Sequence, residues 1–243
     1  MHFHSLFQFL LAGINGSFIT GDLFNLFVFF EIMLAASYGL LLLGLQSERI
    51  RASMQYVVIN LVASSFFLIG VALIYAAAGT LNMADLAVRA STMGESERLL
   101  LKMAVEFDKA YKLLAMQERI SNAKAKELID KGLVTVMGES ERLLLEIGAA
   151  VLAIVFLIKS AVWPLGFWLP TTYAAAAPPV AAMLVLMTKV GIYVLLRLWQ
   201  LVFAEQAELL NALSGAVLVT GGLLTLAFGT IGMLGSQELG RMA

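Results

Sequence analysis

The sequence predicts an all-α protein, a polytopic transmembrane helical bundle of about six spans, because runs of about 20 apolar residues are what cross a bilayer as helices. Three observations carry this. Hydrophobic residues make up 60% of the 243 positions and charged ones 14%, where soluble domains carry about 25%. Uncharged stretches of membrane length recur, Tyr56 to Ala78 among them. The charges are also segregated: 19 of 33 lie between Ser91 and Glu146. The net charge of −1 gives no reason to expect a nucleic-acid partner. With no cysteine, and His2 and His4 as the only histidines, neither a disulfide nor a metal site is expected, and no cofactor.

Taken in order, Phe3 to Ile19 is a short apolar segment, expected to be interrupted at Gly13 and Gly16. Thr20-Gly-Asp22 makes a turn whose aspartate is placed to cap the next helix. That helix, Leu23 to Leu45, carries a single charge, Glu31. Eight residues at 1.5 Å each set Glu31 about 12 Å along the axis, near mid-membrane. A charge at that depth costs roughly 2.5–3.5 kcal/mol on insertion scales, so it normally has a partner or a function. Gln46 to Arg51 reads as a polar loop, whose Arg49 and Arg51 favour the cytoplasmic side. In the span Tyr56 to Ala78, Asn60, Ser64 and Ser65 read as hydrogen-bonding glue between helices in preference to a water path. Gly79 to Arg89 leaves the membrane.

A charged insert follows. Met93 to Leu101 (Met-Gly-Glu-Ser-Glu-Arg-Leu-Leu-Leu) recurs identically at Met137 to Leu145, 44 residues on. Nothing else repeats at that period, so a duplication is expected and a solenoid is not. Between the copies, apolar residues at helical spacing predict one or two amphipathic helices outside the bilayer. Three regions result: 1–90 with the Glu31 helix, 91–146 as extramembrane insert, and 147–243 with two further charges in apolar surroundings.

Those charges are Lys159, in the span Ile147 to Trp163, and Lys189, in the span Val180 to Trp199. Pro164 forces a break, since proline lacks the N–H and clashes with the preceding turn. Freed carbonyls within a membrane are tolerated only in a protein-lined or wet cavity. The chain is expected to continue through Gly166 to Pro170, then loop from Thr171 to Pro179, with Pro178 and Pro179 starting a helix. Leu209 to Leu234 is a last uncharged span. Glu31, Lys159 and Lys189 lie on three different helices. A carboxylate with lysines that exchange charge on desolvation makes a proton relay. One glutamate–lysine staple would account for two of the three and for no broken helix.

The stretches Gly21-Asp-Leu-Phe-Asn-Leu-Phe-Val-Phe-Phe-Glu-Ile32, Gly79-Thr-Leu-Asn-Met-Ala-Asp-Leu86, Lys159-Ser-Ala-Val-Trp-Pro-Leu-Gly-Phe-Trp-Leu-Pro170, Ala177-Pro-Pro-Val-Ala-Ala182 and Thr188-Lys-Val-Gly-Ile-Tyr193 resemble the D subunit of Mrp-type multisubunit Na+/H+ antiporters. That family is related to the antiporter-like membrane subunits of respiratory complex I. The resemblance implies that Glu31 is the acid of transmembrane helix 5, Lys159 the lysine of broken helix 7 and Lys189 that of helix 8. It implies a bacterial inner-membrane protein that exchanges protons for Na+ or another monovalent cation within a hetero-oligomer, with no enzymatic activity of its own. It covers helices 4 to 9 of about 14 arranged in inverted repeats, so a truncated core is expected. Two alternatives stand beside it: a proton-pumping membrane component of a complex I-like oxidoreductase or membrane hydrogenase, and an inactive structural fragment. Residues 120–136 are similar to part of an S4-type RNA-binding domain, but a pair of solvated helices is the expectation there, without nucleic acid.

Overall fold

The computed structural model describes residues 3–43, 47–89, 139–201 and 208–235. The one or two amphipathic helices expected in the insert, at 102–136, lie outside the described residues, as does the first copy of the repeated nonapeptide. The helices are α1 (Phe3–Ile19), α2 (Leu23–Leu41), α3 (Ser47–Ala78), α4 (Glu139–Lys159), α5 (Leu169–Ala175), α6 (Pro178–Leu201) and α7 (Glu208–Gly235), with a further helical stretch at 83–89. Among the described residues the only extended pairing is one isolated bridge, Asp22 with Asn82. Within α2, α3, α6 and α7 lie segments long and apolar enough to cross a membrane, and α1 is a shorter apolar helix. The all-helical bundle expected from the sequence is therefore what folds.

Several boundaries differ from the sequence expectation. α1 runs unbroken through Gly13 and Gly16. A Cβ at Gly13 would meet Met33 at 2.7 Å, and one at Gly16 would run into the Phe29 ring. The glycines admit α2 at close range, as small residues do between membrane helices. Gly70 and Gly148 do the same where α3 crosses α4. The expected polar loop at 46–51 is helical from Ser47, so α3 projects beyond its apolar run. α4 begins at Glu139, inside the second copy of the nonapeptide.

α4 stops at Lys159, earlier than an end at Pro164 itself. The proline ring collides with the carbonyl four residues back, which is that of Ser160, so the helix cannot pass that residue. Ala161 takes a left-handed conformation with φ of 54°, and its N–H reaches Ile158 O at 3.0 Å. Trp168 Nε1 donates to the same Ile158 carbonyl at 3.1 Å. Turns occupy 163–168, and the expected loop after Thr171 is instead α5, with Pro170 in its first turn and the Thr172 hydroxyl bonded to Trp168 O at 2.7 Å. α7 meets the break through Trp163 N, which donates to Thr225 Oγ1 at 2.8 Å.

One end of the bundle is held by caps. Asp22 accepts from Phe24 N and Asn25 N, both at 2.9 Å, as its sequence position predicts. Asn82 caps 83–89 in the same manner through Ala84 N and Asp85 N. The two cap segments pair, Leu23 N to Leu81 O at 2.9 Å and Met83 N to Gly21 O at 2.8 Å. Arg197 of α6 reaches Thr20 O at 2.7 Å and so ties the returning helix to the α1–α2 turn.

Candidate functional site

α2, α3 and α4 bring three side chains together within the bundle. Glu31 is partly buried, while Ser64 is 5% exposed and Lys159 5%. The Ser64 hydroxyl donates to Glu31 Oε1 at 2.5 Å. Lys159 Nζ donates to Ser64 Oγ at 3.3 Å. The acid and the base are thus joined through a hydroxyl. The two ion pairs among the described residues are elsewhere and exposed, Arg89–Asp85 and Arg142–Glu146. Such pairs contribute little, with a median of about 0–1 kcal/mol.

Local structure explains each position. Lys159 is the last residue of α4, where the unpaired carbonyls of a helix end favour a cation. Its ammonium stands 5.3 Å from the centroid of the Phe30 ring, one residue before Glu31. Phe30, Phe67 and Phe156 pack against one another, with centroids 5.2–6.1 Å apart. They close the site on the side facing the caps. On the other side lie Ser37, Tyr38, Tyr56, Asn60, Trp168 and Tyr173. Tyr56 Oη and Ser37 Oγ are 3.0 Å apart, and Asn60 Nδ2 donates to Tyr56 O at 2.9 Å. A cavity the size of one water molecule opens there, lined by Lys159, Tyr56, Asn60, Trp168 and Tyr173 among others.

Of the three charges picked from sequence, the fold joins Glu31 to Lys159 and leaves Lys189 apart. Lys189 is exposed on α6, next to the buried Thr188, and has no hydrogen bond or ion pair among the described residues. Ser64 was legible only as helix glue: a hydroxyl in an apolar run costs little, so its place between two charges leaves no trace in composition. No cluster of metal-ligating side chains occurs among the described residues. The arrangement can carry a proton between nitrogen and carboxylate through a hydroxyl that both accepts and donates.

A family model described as "NADH:quinone oxidoreductase/Mrp antiporter, TM" matches residues 20–235. The chain is 50% identical, over all of its length and 37% of the relative's, to the D subunit of a probable K+/H+ antiporter of Rhizobium meliloti (strain 1021). It is 38% identical, over 99% of its length and 39% of the relative's, to the D subunit of the Na+/H+ antiporter of Alkalihalophilus pseudofirmus. The chain thus spans under two-fifths of the length of these relatives. Among solved structures, the Mrp complex from Dietzia sp. DQ12-45-1b has a chain similar at a TM-score of 0.66 and 30% identity, covering 95% of this chain and 34% of that one.

Proposed function

The chain belongs to the NADH:quinone oxidoreductase/Mrp antiporter transmembrane family, and from that premise we propose that it is the proton-translocating core of the D subunit in a multisubunit monovalent cation/H+ antiporter of the bacterial cell membrane. The observation that carries this reading is the hydroxyl-bridged pair Glu31–Ser64–Lys159. As Lys159 gives a proton to Ser64 Oγ, Ser64 gives its own to Glu31, and the reverse shift reloads the lysine. A proton crosses between helices and neither end is left as an unpaired buried charge, which is the costly state. Lys189 is the next station, because an exposed charge within a membrane-length helix needs a protein or aqueous partner. The other subunits of the complex supply that partner. The exchanged cation is Na+ or K+, the two that the similar subunits' names carry.

The test is proton flux in everted vesicles of antiporter-deficient cells carrying the whole complex. Adding Na+ or K+ is expected to dissipate a preformed pH gradient, and Glu31→Gln to abolish that response with assembly intact. The family's description also names NADH:quinone oxidoreductase, so the second reading is a redox-driven pump in which chemistry in partner subunits would drive protons through this chain. Flux that follows NADH oxidation and ignores the added cation would select that branch. Loss of assembly in Glu31→Gln, with no separate transport defect, would leave a structural role.

A further inference from the structure

Serine and threonine hydroxyls in a helix commonly bond back to a carbonyl three or four residues earlier. Ser17, Ser37, Ser65, Thr188 and Thr225 do so, to Gly13 O, Leu34 O, Leu61 O, Val185 O and Gly221 O. Ser160, which directly follows Lys159, does not. Its Oγ is buried and has no hydrogen-bond partner among the described residues. Its backbone is still helical in its bonding, since Ser160 N donates to Phe156 O at 2.8 Å. A buried hydroxyl forgoes a hydrogen bond only at a cost, so a different contact holds it in this orientation.

Gly191 of α6 faces it. Gly191 is buried, and a Cβ there would lie 2.5 Å from Ser160 Oγ, 3.3 Å from Ser160 N and 3.5 Å from Ser160 Cβ. The hydroxyl therefore fills the space that a side chain at 191 would take. The contact falls where α4 has just lost its helical continuation. Ala161, one residue on, is left-handed. α7 holds the next two residues, with a Cβ at Gly221 2.9 Å from Val162 Cγ1 and Trp163 N bonded to Thr225. Ser160 is thus where α6 bears on the broken end of α4, one peptide from Lys159.

We propose that Gly191 and Ser160 are positioning residues. The Ser160 hydroxyl seats in the hole left by the missing side chain of Gly191, and this fit sets where the end of α4 stands. With it is set the distance from Lys159 Nζ to Ser64 Oγ, 3.3 Å in this arrangement. Neither residue exchanges a proton. A methyl at 191 overlaps the hydroxyl, so the end of α4 has to shift against α6. The fit can also be inverted. With Gly191→Ala and Ser160→Ala together, the methyl comes from α6 and the hydroxyl is gone, which leaves approaches of 3.3 and 3.5 Å to Ser160 N and Cβ, close to ordinary contact. The consequence for transport rests on the proposed proton translocation; the fit does not.

The experiment reads Glu31, because Lys159 reaches it through Ser64. The infrared band of the Glu31 side chain, in the purified chain in lipid nanodiscs, is identified by its loss in Glu31→Gln. Gly191→Ala is expected to move that band, and the double substitution to return it. Gly39→Ala is the control: its Cβ would meet Leu6 of α1 at 2.9 Å, an equally tight crossing elsewhere, and the band is expected to stay. A band unmoved by Gly191→Ala, moved as far by Gly39→Ala, or not returned by the double substitution overturns the proposal. In vesicles carrying the whole complex, cation-driven proton flux is expected to fall on the order of tenfold in Gly191→Ala and to return to within about twofold in the double variant, as misplacement and restored placement of a transfer group require. Flux that stays low while the band returns overturns the consequence for transport. Should Gly191→Ala fail to assemble, the double variant is expected to assemble with the unmodified band, and its failure overturns the fit. If the unmodified complex moves no protons while the band still follows the two residues, the antiport reading fails and the positioning role stands.

Discussion

The two sides of Lys159 are built from different chemistry. Toward the capped end the neighbours are Phe27, Phe30, Phe67 and Phe156, rings with no polar atom, packed edge to face. Away from it Tyr56, Asn60, Trp168 and Tyr173, each with a donor or acceptor, line the cavity beside the lysine together with the apolar Met33, Leu34, Leu184 and Met187. Only the second gives a water molecule somewhere to bond, because a cavity holds water when it is both roomy and polar. The difference makes the site one-sided: a proton on Lys159 finds hydrogen-bonding groups in one direction and a dry aromatic wall in the other.

This contrast can be broken at its centre or sharpened at its edge. The largest effect is expected from Lys159→Met, which keeps the contact with Phe30 and removes the exchangeable proton. Cation-driven proton flux should fall by on the order of 100-fold or more, the usual contribution of a positioned proton-transfer group. A flux within a few-fold of the unmodified complex would mean that protons bypass the lysine. Ser64→Ala is next. It leaves both charges and deletes the oxygen between them, so flux should drop about tenfold, the effect of roughly 1.4 kcal/mol. Ser64→Thr, which retains the hydroxyl, should restore most of it; failure of that rescue would count against a hydroxyl relay. Tyr56→Phe, on the polar side, should have the smallest effect. It removes the hydrogen bond to Ser37, and the unfolding free energy in detergent should fall by about 1 kcal/mol. Its flux should fall less than that of Ser64→Ala, since Tyr56 does not lie between Glu31 and Lys159. An equal fall would move the path through Tyr56.

How much of this the sequence reveals depends on whether a residue signals by itself or only through its neighbours. Glu31 and Lys159 stand out because a charge in a membrane-length apolar run is expensive wherever it points. The same signal marks Lys189 equally strongly, yet it sits on an exposed face while Thr188, one residue back and a third of a turn round the helix, is buried. Burial of a charge is a property of a face, and the face of α6 is chosen by packing against α4, α1 and α2. Pro164 announces a break correctly, and its reach of four residues explains why the helix ends near Lys159. Gly13 and Gly16 read as breakers under rules suited to water. In a membrane the backbone keeps its internal bonds, so glycine marks a close helix crossing instead. Asp22 was readable as a cap because its partners are local amides. Its pairing with the Asn82 segment, across the whole of α3, was not.

The indole of Trp168 grips the carbonyl of Ile158, the peptide unit that leads directly into Lys159. Trp168 also begins the short helix α5, where the hydroxyls of Thr171 and Thr172 bond back to its own carbonyl. The lysine is therefore anchored at both ends of one mechanical linkage, by α4 on one side and by α5 across the break. Where α5 sits therefore helps to set where the Ile158–Lys159 peptide sits, and with it how far the ammonium stands from Ser64.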